Sequence, residues 1–118
     1  MKINEKLAKY IYSRTGNNKK YKVEYTYDEF WEWSRHNHYA CQYCLLDIDD
    51  VVEVEQERHQ PKRYWNTMSI DRIKNYLPYQ INNITFACFR CNSIKSSFFN
   101  EKEMKKIGLF IRKIHGYK

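Results

Sequence analysis

All four cysteines of the chain stand in two Cys-x2-Cys pairs, Cys41-Gln42-Tyr43-Cys44 and Cys88-Phe89-Arg90-Cys91. A turn of that spacing puts two thiolates on one side of a tight loop. Two such turns complete a tetrahedral shell around zinc, with sulfur about 2.3 Å from the ion. Four protein thiolates leave no open position for water, so such a zinc would be structural, and its removal is expected to unfold the domain. Disulfides and unrelated buried thiols are the competing readings. The N-terminal stretch MKINEKLAKYIY has no apolar core of a signal peptide, and the thiols are therefore expected to stay reduced. Between the pairs lie 43 residues, Leu45 to Ala87, more than a simple zinc ribbon needs. That length leaves room for a functional insert.

The insert and the second pair carry an ordered set: Met68-Ser69-Ile70-Asp71-Arg72-Ile73, then Tyr79, then Asn83-Ile84-Thr85-Phe86-Ala87-Cys88, and Cys91-Asn92-Ser93-Ile94-Lys95. Over residues 26–97 this resembles the HNH (ββα-metal) endonuclease superfamily. The likeness is to the phage-type branch with a Ser-Ile-Asp-Arg-Ile start and a Cys-x2-Cys-Asn-x2-Lys end. The resemblance implies a small α+β domain, built on a hairpin and a helix, that hydrolyses DNA phosphodiester bonds. It implies a catalytic Mg²⁺ or Mn²⁺ on Asp71 and Asn92, loop support from Asn83, and a phosphate contact from Lys95.

Elementary chemistry points the same way. A hairpin packed on a helix would bring Asp71 near Asn92, and a carboxylate with an amide carbonyl suits a hard divalent cation. Such an ion would polarise the scissile phosphate and stabilise the leaving 3′-oxygen. One position departs from the family: many members carry a water-activating His after the metal-binding Asp, where this chain has Arg72. A guanidinium stays protonated and cannot act as a general base, although it can hold a phosphate in a fork. Tyr79, Tyr76 and His59 are the nearby groups that could activate water. The alternative is a non-catalytic zinc module that binds nucleic acid.

Each residue also has a plainer reading. Asp71 could pair with Arg72 or cap the hairpin, Asn83 could be a turn residue, and Asn92 could cap a helix. His36, His38, His59 and His115 show no metal spacing with one another. Phe30, Trp31 and Trp33 read as core rather than as stacking platforms. Arg58, Lys62 and Arg63, with Arg90 and Lys95, could line a phosphate track, and a solvated face explains them nearly as well. Lys102, Lys105, Lys106, Arg112 and Lys113 offer either a second DNA contact or the wet side of a helix.

The elements that must position these groups are legible in outline. The chain has 118 residues and a net charge of +7, which fits one domain (1–118) and a polyanionic partner such as DNA. Aromatics at 17% argue against disorder, and no apolar run reaches the roughly twenty residues of a membrane span. The protein is thus expected inside the cell, and its Asn, Lys, Ile and Tyr bias suits a phage, viral or other A·T-rich source. A homodimer would give symmetric double-strand cleavage from one site per chain. Apolar spacing predicts a helix over 3–13, stopped by Thr15-Gly16-Asn17-Asn18. Thr26 and Glu29 form a capping-box pattern for a second helix ending near 36–38. Strands are predicted at 51–54, Thr67–Ile73 and Asn83–Ala87, with polar loop over 55–66 and a long hairpin loop, KNYLPYQIN, between the last two strands. A helix should start near Cys88, and a last one at Asn100 should present Met104, Ile107, Ile111 and Ile114 on one face.

Overall fold

A computed structural model describes residues 3–17, 20–47 and 68–115. The strand expected at 51–54, the loop over 55–66 and Thr67 lie outside the described residues.

Helix α1 spans Glu5–Gly16, with Asn4 as its cap: the Asn4 side chain accepts from the Leu7 amide at 2.8 Å. It starts two residues later than the periodicity suggested because that cap, not the apolar Ile3, sets the boundary. Its buried face carries Ala8, Ile11 and Thr15, and the Thr15 hydroxyl is spent on the Ile11 carbonyl at 2.8 Å. Helix α2 spans Tyr27–Arg35 and opens on the predicted capping box. Thr26 N–H donates to Glu29 Oε1 at 2.9 Å, and Glu29 N–H donates to Thr26 Oγ1 at 3.2 Å. Phe30 is fully buried and stacks on Trp33, whose ring also meets Phe86 at 4.9 Å. These aromatics are core, as read from the sequence, and Trp31 is half-buried beneath Arg35.

Strands β1 (Met68–Arg72) and β2 (Ile84–Cys88) pair antiparallel, with Met68 opposite Cys88 and Arg72 opposite Ile84. Two strands alone are marginal in water, so both faces of this hairpin need cover. Met68, Ile70 and Phe86 point to one face, where Trp33 and Tyr39 pack on Phe86. Ser69, Asp71 and Ala87 point to the other, which receives helix α3, Phe89–Lys95. The connecting loop ends in a single 3-10 turn, Ile81–Asn83.

Helix α4 spans Glu101–His115, and Asn100 caps it reciprocally with Glu103 at 2.8 and 3.0 Å. Met104 and Ile111 are buried and Ile107 packs beside them. Ile114 does not join that face: it is 59% exposed, since the helix runs past the core it covers. No helix among the described residues is long and apolar enough to cross a membrane.

Candidate metal centre and hairpin site

The first Cys-x2-Cys turn is closed by two backbone bonds, Leu45 N–H to the Cys41 carbonyl at 3.0 Å and Cys41 N–H to the Leu46 carbonyl at 2.8 Å. The turn requires Leu45 at a φ of 64°, a left-handed conformation that costs a bulky residue energy. Helix α4 holds this shape from outside. Arg112 donates to the Cys44 and Leu45 carbonyls at 3.2 and 3.1 Å. Gly108 sits so close that a Cβ there would collide with the Tyr43 carbonyl and the Cys44 amide. The second pair straddles a strand end and a helix start. Cys88 closes β2 and caps α3, its sulfur accepting from the Cys91 amide at 3.4 Å.

The four sulfurs converge: all lie within 4.8 Å of one another and all four residues are buried. The Cys44 and Cys88 sulfurs are 3.7 Å apart. A tetrahedron with zinc–sulfur bonds of about 2.3 Å requires sulfurs separated by about 3.8 Å. No disulfide links them. Four buried thiols this close cannot all ionise unaided: hydrogen bonds to Cys41, Cys44 and Cys88, then burial, push the Cys91 thiol far up. The cluster can hold a metal ion, and its donor set is that of a closed, structural site. Arg90 donates to the Cys44 sulfur at 3.6 Å. Its guanidinium therefore borders the sulfur cluster.

On the α3 face of the hairpin, Asp71 is 5% exposed and sits in a closed polar network. The Tyr43 hydroxyl, from inside the first knuckle, donates to Asp71 Oδ2 at 2.5 Å. The Lys95 ammonium lies 3.2 Å from Oδ2 and 3.4 Å from Oδ1, and also donates to the Arg72 carbonyl at 2.8 Å and to Asn75 Oδ1 at 2.5 Å. Burial pushes the Asp71 carboxyl above the ordinary range, against the pull of Tyr43, Lys95 and Arg72. Burial, and then the Asp71 charge, push the Tyr43 phenol far up, which keeps it a donor.

Lys95 thus departs from its expected role: it is 0% exposed, and its charge is spent on Asp71 rather than on a phosphate. Arg72 is 7% exposed, and its guanidinium donates to the Asn75 and Leu77 carbonyls while lying 3.3 Å from the Tyr21 ring centre. That packing pins the hairpin loop through one guanidinium nitrogen, Nη1. Asn83 is buried and staples the same loop: Oδ1 accepts from the Lys74 amide at 2.8 Å, and Nδ2 donates to the Lys74 and Pro78 carbonyls. Asn92 donates to Ser69 Oγ at 2.8 Å and more weakly to the Ile70 carbonyl. Asp71 and Asn92 do face the same helix–strand seam, yet they do not fit a shared divalent ion as folded, because the Lys95 ammonium stands against both carboxylate oxygens.

Tyr79 is buried with its ring 5.7 Å from the Arg72 guanidinium, whereas Tyr76 is exposed on the loop. His36 and His38 are exposed beside Glu32 and Asp47 and touch no site. Arg58, His59, Lys62, Arg63 and the His115 side chain lie outside the described residues. Sequence reasoning missed Tyr43 and Tyr21. The first hides between two cysteines, and the second lies some fifty residues from its partner. Hydrogen bonds from Ser97 and then Arg72 hold the Tyr21 phenol below its ordinary value. A cavity of about 320 Å³ opens between α1, β1 and α3, with Arg14, Ser69, Asn92 and Ser93 among its polar lining. Arg14 makes no ion pair among the described residues and lies 5.6 Å from the Tyr10 ring centre.

No protein-family profile and no curated protein matches the chain. Among solved structures it is similar to the rare-cutting HNH restriction endonuclease PacI, described for the way it perturbs DNA. The two share 24% identity at a TM-score of 0.65, over 94% of this chain and 78% of that one. The match reaches beyond the 26–97 stretch that carries the motif, so the flanking helices take part in it. With a paired hairpin, a helix begun by a cysteine and four clustered sulfurs, this chain has the α+β architecture of the HNH-like fold.

Proposed function

We propose that the chain is an HNH-type DNA endonuclease that hydrolyses phosphodiester bonds, folded around a structural zinc on Cys41, Cys44, Cys88 and Cys91. One observation carries this reading. A single hairpin–helix unit, clipped by the sulfur cluster, carries Asp71, Arg72, Asn83 and Asn92 on the fold that PacI also has. The net charge of +7 supports a polyanionic substrate. The cavity beside Asn92, with Arg14 on its wall, is the place where a phosphate would enter. Asn83 and Arg72 act as positioning residues for the loop that borders it.

A specific observation favours a second reading, a zinc-containing module that binds nucleic acid without cutting it. The Asp71 carboxylate is sealed against Lys95 and Tyr43. One experiment separates the two. Zinc-loaded protein is incubated with supercoiled plasmid, with and without Mg²⁺ or Mn²⁺, and the same samples are run in a gel shift at rising salt. Nicking that is lost in Asn92→Ala, with zinc retained, is the expected result. Salt-sensitive binding with no nicking under any metal would transfer the assignment to the second reading.

A further inference from the structure

The fold implies a divalent cation at Asp71, and the structure places a cation there that belongs to the chain. Lys95 reaches Asp71 from the last turn of α3, with no part of its side chain exposed. Its ammonium has three kinds of acceptor: both Asp71 oxygens, the Arg72 carbonyl and Asn75 Oδ1. An ammonium has three protons to give, so it is fully satisfied. Tyr43 takes a further lone pair of Asp71 at 2.5 Å. Arg72, the next residue along the strand, adds a second positive charge close by. A divalent ion arriving at Asp71 would have to displace a buried ammonium from its acceptors, and would then sit beside Arg72. Desolvation and repulsion both oppose this exchange.

We infer that Lys95 is the resident counter-ion of Asp71, that it fills the role a metal plays at this position of the fold, and that Asp71 is therefore a structural anion rather than a ligand for a divalent ion. Tyr43 then has a positioning role. It ties the carboxylate to the first cysteine turn, so that the sulfur cluster and the hairpin settle as one unit. This inference stands whether or not the chain cuts DNA, because it concerns which cation Asp71 keeps.

The test is a Mn²⁺ titration of the zinc-loaded protein followed by electron paramagnetic resonance, comparing the wild type with Asp71→Asn, a near-isosteric change. Equal Mn²⁺ binding by the two proteins is expected. A stoichiometric Mn²⁺ ion in the wild type that Asp71→Asn weakens tenfold or more would overturn the inference. A second readout does not depend on any variant's folding. The Lys95 ammonium should give a nitrogen resonance protected from solvent exchange and unmoved by excess Mg²⁺. A resonance that Mg²⁺ shifts or exposes to exchange would also overturn it. Plasmid nicking measured on the same samples keeps the two questions apart, since loss of nicking bears on the nuclease reading and Mn²⁺ binding on Lys95.

Discussion

The protein buries two anionic centres only a few residues apart along the hairpin, and it neutralises them in opposite ways. At the cysteine cluster four acids crowd within 4.8 Å, and Arg90 donates to the Cys44 sulfur at 3.6 Å. At Asp71 a single acid has Lys95 and Tyr43 at hydrogen-bonding distance, with Arg72 next along the strand. A centre with too little positive charge of its own must import it, and one with enough has nothing to gain from a metal. Two neighbouring polar sites in one small fold can thus be a metal site and an ion pair.

That contrast can be broken at either end. The largest effect belongs to the sulfurs. Zinc removal, or Cys88→Ser, should abolish cooperative folding, since a structural zinc site carries about 10–16 kcal/mol of binding free energy. A folded, zinc-free protein by circular dichroism would erase the distinction. Next is the ion pair. Lys95→Met should cost about 3–5 kcal/mol in urea denaturation by stranding a buried carboxylate, and much of that should return in Asp71→Asn/Lys95→Met. Equal loss in both proteins would mean that the pair acts through packing and not charge.

Alkali attacks the carboxylate centre through its tyrosine. Burial raises the phenols of Tyr25, Tyr39 and Tyr43 above their ordinary value of 10.0. The folded state thus keeps three protons that the unfolded chain releases. The stability this represents is fully present below pH 10 and declines as pH climbs past it, by about 4 kcal/mol per pH unit for three such groups. Phenolate absorbance should therefore rise together with the loss of circular dichroism; phenolate appearing well before unfolding would contradict the burial. The smallest effect is Gly108→Ala, which drives a methyl into the backbone of the first knuckle. It should cost about 2 kcal/mol and quicken zinc release to a chelator.

Local patterns were legible in the sequence where a short-range rule decides the outcome. Thr26 with Glu29 and Asn100 with Glu103 cap helices as their spacing requires, and the two cysteine turns converge as their pairing implies. The apolar face of α4 was read correctly up to Ile111 and failed at Ile114, because periodicity cannot say where the core ends. Asp71 and Asn92 were placed on the right elements, whereas Asn83, expected to open the second strand, ends the 3-10 turn before it. The contacts of Lys95, Arg72 and Arg90 were not legible, because a lone basic residue carries no sign of a buried partner. Their partners are Asp71, the Asn75 and Leu77 carbonyls with Tyr21, and the Cys44 sulfur. Such pairings are set by how strands and helices dock, which no window of sequence contains.

Cys88 ends a strand, caps a helix and faces the other three sulfurs, and this confines where the chain can change length. One residue added between Cys88 and Asn92 would rotate α3 by about 100° against the sheet, taking Asn92 and Lys95 away from Ser69 and Asp71 together. One residue added at Tyr76 would part the Asn75 and Leu77 carbonyls that the Arg72 guanidinium holds together, so the bend is constrained as well. Divergent copies of this fold should therefore hold the Cys88–Lys95 spacing fixed.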